Sequence, residues 1–201
     1  MLESTKPSLF DPLLAKARKR RPRVVLPEAD APEITAAAVR ARKDGVAEPV
    51  LLGTPATIGE NARQAGCDDP DALDIVDAKE LPKLDDYAAL YAQRRGNVSE
   101  KVARRLVKRT LLYAGMMVAA GDAEGMVAGF TCPTARVCES AGLTIGLAEG
   151  VDTPSSFFIM DLPDGRTFFF ADCALNVAPT PEQLADIAVS TGRSAKALFN
   201  W

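Results

Sequence analysis

Two short apolar runs near the start of the chain bracket one Ala-rich stretch, and this arrangement constrains the fold more than any other feature. Arg23-Val24-Val25-Leu26-Pro27 and Pro49-Val50-Leu51-Leu52-Gly53 are short, rich in branched side chains and bounded by Pro or Gly, as buried strands are. Between them, Pro27-Glu28-Ala29-Asp30 reads as a turn. Pro32 suits the first turn of a helix with Asp30 or Ala31 near its cap, and Lys43-Asp44-Gly45 is a helix stop, so the spacing predicts a helix over 32–44. Two strands joined by a helix of this length pair in parallel, because the crossover carries the chain back to the same sheet edge.

The alternation continues. A helix is expected from Thr54-Pro55 to about Ala65, a weak strand over 74–77, and helices over 84–95 and 98–119, the latter opening at Ser99 with Glu100 in its first turn. Gly121 to Gly125 reads as a turn and Met126 to Phe130 as another strand. The first 150 residues therefore predict an α/β domain with a doubly wound, mostly parallel sheet. After Gly150 the pattern changes. Ser155–Leu162 and Arg166–Leu175 read as strands around a Pro163-Asp164-Gly165 hairpin turn. Thr180-Pro181-Glu182-Gln183 then opens a helix to about Phe199. The expected division is 1–150 as a first, incomplete α/β domain and 151–201 as a hairpin plus helix that starts a second one. The basic run from Lys16 to Arg23 reads as a solvated helix end stopped by Pro22.

Charge and residue usage exclude several functions. Lys and Arg total 24 against 27 Asp and Glu, a net charge of −3, which gives no general attraction to nucleic acid or an anionic membrane. No run approaches the ~20 apolar residues that span a bilayer. The segment Met1–Asp11 lacks a signal peptide's basic start and apolar run, so a cytoplasmic location is expected. Cys67, Cys132, Cys138 and Cys173 form no CxxC pattern and read as reduced, small buried hydrophobes. The chain has no histidine, which removes the commonest metal ligand and the commonest general base near neutral pH. No metal site is expected, and no Ser-His-Asp or Cys-His arrangement can form from this chain.

VVLPEADAPEITAAA at 24–38, the stretch from Tyr91 to Ala103, MMVAAGDAEGMVAG at 116–129, SSFFIMDLP at 155–163 and ADCALNVAPTPEQLADIA at 171–188 occur in an order and spacing that resemble the phosphate acetyltransferases and related phosphate butyryltransferases. The resemblance implies a fold of the isocitrate/isopropylmalate dehydrogenase type, with the site in a cleft between two α/β domains. It implies reversible transfer of an acetyl group between acetyl phosphate and coenzyme A, the coenzyme being a substrate and no cofactor being permanently bound. Such chemistry needs a base for the thiol, donors for the acyl oxyanion and the phosphate leaving group, and cations for the coenzyme phosphates. In the family a segment with a Ser-Arg pair and an Asp serving the reaction lies beyond the position of Trp201. On that comparison the chain is expected to be a truncated front portion, with no residue assigned as catalytic base and no activity alone.

The resemblance also assigns individual residues. Arg94, beside Arg95, falls where the family has an arginine associated with coenzyme A; the plainer reading is a surface arginine. A second family arginine falls on Glu139, where a carboxylate would repel phosphate. Cys132-Pro133-Thr134 replaces a common His-Thr-Thr, leaving the Thr134 hydroxyl to bond an acyl phosphate or to cap a turn. Ser155 and Ser156 match the family, or simply start the strand. Asp172 and Asn176 are expected to anchor the turn after the second hairpin strand, and Asp122 and Glu124 to shape their own turn. The expected function is that of a phosphate acyltransferase. The alternatives are a non-catalytic, truncated relative acting as a binding, regulatory or interaction protein, or a poorly folding remnant. Phe157, Phe158, Phe168, Phe169 and Phe170 would need cover, so a homo-oligomer or a complementary chain is expected as partner.

Overall fold

The computed structural model describes residues 9–199. They divide into two compact units. The larger runs from Leu14 to Gly146, and the smaller holds the residues from Leu147 onward with those before Leu14.

The larger unit is built on a four-stranded sheet of order β3-β2-β1-β4, all parallel: β1 is Arg23–Leu26, β2 Glu48–Gly53, β3 Asp74–Asp77 and β4 Gly125–Met126. Helix α1 (Asp11–Arg20) precedes β1. Then α2 (Pro32–Lys43) joins β1 to β2, and α3 (Pro55–Gln64) with a short 3-10 turn joins β2 to β3. Helices α4 (Leu84–Arg95), α5 (Glu100–Val107) and α6 (Thr110–Ala119) lead from β3 to β4. Successive strand residues point to opposite faces, and β2 shows it directly. Leu51 packs with Ala38 of α2 and Ile58 and Ala62 of α3. Val50 and Leu52 pack with Tyr87, Tyr91, Val107, Tyr113 and Met116 on the other face. Both faces are covered, so β2 reads as a continuous apolar run, and the doubly wound α/β expectation holds. Three arginines of the basic run that leads into β1 form surface pairs, Arg20 with Glu124, Arg21 with Glu48 and Arg23 with Asp74.

Four expectations change, and the choice between Asp30 and Ala31 as the cap of α2 is decided. The stretch 98–119 is two helices: α5 ends at Val107, and Arg109 takes extended backbone before α6. The last strand of the sheet stops at Met126, because the amides of Gly129, Phe130 and Thr131 turn to a side chain instead of a neighbouring strand. Residues Thr134–Thr144 form a helix, α7, where none was expected. It packs so closely on α6 that a Cβ on Gly115 would lie 2.1 Å from Thr144 Oγ1. Asp30 does not cap α2. Ala31 holds the cap position, and the Asp30 carboxylate reaches across to accept from the Thr54 amide at 2.7 Å, tying the first turn to the start of α3. The four cysteines are free thiols, half-buried and not fully buried.

In the smaller unit, β5 (Phe157–Asp161) pairs antiparallel with β6 (Thr167–Ala171), and α8 (Pro181–Phe199) follows. Strand β6 ends before Leu175, since the residues after Ala171 wrap around Asp172. Helix α8 opens with a reciprocal capping box: Gln183 N–H donates to the Thr180 hydroxyl, and Thr180 N–H donates to Gln183 Oε1. One face of the hairpin turns toward α8, where Phe169 meets Phe199 edge-on at 5.9 Å. The opposite face is bare: Phe158 is 58% and Phe170 52% exposed, with Met160 and Phe168 beside them. Among the described residues no helix is long and apolar enough to cross a membrane.

Candidate functional site

The connections from β1 diverge. Helix α2 carries the chain to β2 on one side, while β4 pairs on the other side after the α4–α6 crossover. The chain order reverses between β1 and β4, and in open α/β sheets ligands bind outside the carboxyl ends of the strands at such a point. Two segments meet there, the turn after β1 and the loop after β4. Glu28 holds them together. Its carboxylate accepts from the backbone N–H of Gly129 (2.6 Å), Phe130 (3.0 Å) and Thr131 (2.6 Å) and from the Thr131 hydroxyl (2.6 Å). Burial alone would raise its pKa, but the Thr131 hydroxyl and the three amides more than offset this and hold it at about 2. Glu28 is therefore a fixed anion that shapes the loop, and its lone pairs are in use. Nothing in the local sequence announces this, because the partners lie about a hundred residues apart.

The same loop presents Cys132 and Thr134. Burial pushes the Cys132 thiol up, and a hydrogen bond to Glu28 with its charge adds to the effect, so this sulfur stays protonated and is no ready nucleophile. Thr134 is the first residue of α7 and is exposed; the helix cap is Pro133, so Thr134 caps nothing. Arg94 lies in the last turn of α4, and one of its guanidinium nitrogens donates to the carbonyl of Ile145 at 3.1 Å. Ile145 closes the far end of α7. Arg94 and Thr134 thus flank opposite ends of that helix, about 15 Å apart at 1.5 Å per residue. One small ion does not touch both.

Between these ends, α7 borders a cleft of about 640 Å³ lined by Leu106, Arg109, Thr110, Arg136, Glu139 and Ser140, with further leucines. Glu139 therefore does not stand alone. Two guanidinium groups share its surroundings; the sequence reading missed Arg136 because α7 was not expected, and Arg109 because 98–119 was read as one continuous helix. Elsewhere in this unit Asp122 reaches well beyond its own turn, accepting from Lys83 Nζ at 2.7 Å and Tyr87 Oη at 2.6 Å, while Glu124 accepts from Arg23 N–H at 3.3 Å.

Ser155 and Ser156 belong to the smaller unit. Ser156 is fully engaged. Its amide and hydroxyl both donate to Asp172 Oδ1, at 2.9 and 2.6 Å, and its hydroxyl accepts from Cys173 N–H at 3.1 Å. Asp172 Oδ2 accepts from the amides of Leu175 and Asn176 and from Asn176 Nδ2. Asn176 also donates to the Pro154 carbonyl, closing the ring of contacts. Burial opposes ionisation of Asp172, but the Ser156 and Asn176 donors outweigh it and hold the carboxyl well below the usual carboxylate range. Asp172 and Asn176 anchor the segment after the hairpin, as expected from sequence.

A family profile described as "Phosphate acetyl/butaryl transferase" matches residues 8–200. The phosphate acetyltransferase of Thermoanaerobacterium thermosaccharolyticum is 35% identical over 199 residues, covering 96% of this chain and 60% of the relative. That of Nitratidesulfovibrio vulgaris is 38% identical over 193 residues, covering 94% of this chain and 27% of the relative. The crystal structure of a phosphotransacetylase from Streptococcus pyogenes superimposes with a TM-score of 0.89 at 27% identity, covering 96% of this chain and 60% of that one. The chain thus spans at most about 60% of the length of these relatives.

Proposed function

The chain belongs to the phosphate acetyl/butyryl transferase family, and from that premise we propose that it acts in the reversible transfer of an acyl group between an acyl phosphate and coenzyme A. The observation that carries this reading is the site's layout: a switch-point loop with an exposed threonine at one end of α7 and an arginine at the other. A ligand spanning that helix must be long and carry anionic groups, as coenzyme A does, while a short acyl phosphate fits the loop end alone. Arg94 is assigned to the coenzyme phosphates and Thr134 to the acyl phosphate, with Ser155, half-buried, assigned to substrate contact. Ser156 holds its segment in place through Asp172. Removal of the thiol proton is assigned to none of these. Glu28 and Asp172 are held as anions by donors that fill their lone pairs, and such groups are poor bases near neutral pH.

Replacing Arg94 by alanine is expected to weaken coenzyme A binding about tenfold, the scale of one charge-assisted contact. Isothermal titration of wild type and variant measures it. Unchanged affinity would remove Arg94 from the site.

The bare hairpin face supports self-association. Phe158 and Phe170 sit directly opposite each other on the exposed side, and a contiguous aromatic patch of this kind favours burial against a second apolar surface. The wild-type chain is expected to exceed monomer mass in light scattering at micromolar concentration, and Phe158→Asp to shift it toward monomer. A monodisperse wild-type monomer would contradict this.

A further inference from the structure

The loop after β4 is gathered by a single carboxylate. Gly129, Phe130 and Thr131 are all exposed, so apolar burial does little to fix them. Their three amides and the Thr131 hydroxyl converge on Glu28 instead. Gly129 takes φ +108°, where a side chain would be strained. The carboxylate itself is carried on a rigid turn. Pro27 and Ala29 on either side of it are buried, the Thr35 hydroxyl donates to the Ala29 carbonyl at 2.7 Å, and Asn61 Nδ2 donates to the Asp30 carbonyl at 3.1 Å. Two residues, Cys132 and Pro133, separate the clamped Thr131 from Thr134, and the Pro133 ring fixes its φ at −60°. A short, stiff link therefore passes the placement of Thr131 on to Thr134 and to the first turn of α7, which has no side-chain cap.

We propose that Glu28 is a positioning residue for the acyl phosphate: without touching the substrate, it clamps residues 129–131 so that the Thr134 hydroxyl stands where the phosphate docks. This rests on the assignment of the acyl phosphate to the loop end of α7 made above. Two effects of opposite sign distinguish a clamp from a mere neighbouring charge. As a bare anion, Glu28 would repel an incoming phosphate, and removing its charge would tighten binding about twofold. As a clamp, its charge is offset where it stands by four donors, and removing it frees the loop. The ligand then has to order the loop as it binds, and affinity falls by the fraction of time the loop is correctly placed.

Calorimetric titration of the full chain with acetyl phosphate, and separately with coenzyme A, tests this at neutral pH on variants shown to be folded by circular dichroism. Glu28→Gln is expected to weaken acetyl phosphate about tenfold and coenzyme A less than about threefold, because the coenzyme phosphates are assigned to the far end of α7. Thr131→Val removes one donor of the clamp and should weaken acetyl phosphate about threefold, while Thr131→Ser keeps the hydroxyl and should restore it. Asp122→Ala is the control for stability alone. It removes the acceptor of Lys83 and Tyr87 at the amino end of β4, away from the loop, and should leave acetyl phosphate affinity within about twofold. A loss in Glu28→Gln that spares coenzyme A and is absent from Asp122→Ala upholds the positioning role. Unchanged or tighter acetyl phosphate binding in Glu28→Gln, or an equal loss in Asp122→Ala, overturns it and leaves the proposed function standing. If Glu28→Gln does not fold, the Thr131 pair decides, and equal affinity in the valine and serine variants overturns the role. Wild type that binds neither ligand overturns the proposed function, and the positioning role with it.

Discussion

Asp172→Ala is expected to destabilise the smaller unit by about 2–4 kcal/mol. The reason is the number of donors that converge on one carboxylate. Oδ1 accepts from the Ser156 amide, the Ser156 hydroxyl and the Ala174 amide; Oδ2 accepts from the Leu175 amide, the Asn176 amide and Asn176 Nδ2. These bonds hold the end of β6 and the following segment against the start of β5, and the other side-chain acceptor there, the Ser156 hydroxyl, takes only the Cys173 amide. Asp172→Asn keeps the shape but turns one acceptor into a donor that faces other donors. It should therefore cost nearly as much as alanine, whereas a purely steric role would make it harmless. Urea denaturation followed by circular dichroism gives the free energies. Limited chymotrypsin digestion should show faster cutting around Phe168–Phe170 in both variants. A change under about 0.5 kcal/mol would mean the donors find other partners.

Glu28→Gln is expected to cost about 1–3 kcal/mol at neutral pH, and its cost should depend on pH in a defined direction. The folded-state pKa is about 2 and the ordinary value is 4.5. A depressed carboxyl stabilises the fold fully above its unfolded pKa, and the contribution fades as pH falls from 4.5 toward 2. The difference in stability between wild type and Glu28→Gln should therefore be constant from pH 7 to about pH 5 and shrink below that. Glutamine keeps one carbonyl acceptor for the four donors of the Gly129–Thr131 loop, so the loop should loosen even where the unit stays folded. Chemical denaturation across this pH series measures the effect. A gap that is independent of pH would show that the carboxylate charge is not what the loop binds.

The parts legible in the sequence were those set by local pattern. Val24-Val25 and Val50-Leu51-Leu52 announced buried parallel strands, and Thr180 with Gln183 announced a capped helix, because each depends on residues within one or two turns of chain. The break in 98–119 was hidden, since Lys108 and Arg109 carry no Gly or Pro to mark it. The early end of β4 was hidden for a different reason: Glu28, a hundred residues upstream, captures the amides that would have continued the ladder. The candidate site shows the same split. Arg94 and Thr134 could be named from the resemblance, but the cleft formed by Arg109, Arg136 and Ser140 depends on α6 packing against α7, where Gly115 lets Thr144 approach. Packing between helices leaves no mark at a fixed sequence spacing.

The proposed use of coenzyme A as an acyl-transfer substrate is tested directly by one measurement. Coenzyme A is titrated calorimetrically into the wild-type chain, with and without saturating acetyl phosphate. The account predicts saturable binding at one site per chain, and a second, separable binding event for acetyl phosphate at the loop end of α7. No heat of binding for coenzyme A at millimolar concentration, in either condition, would contradict it.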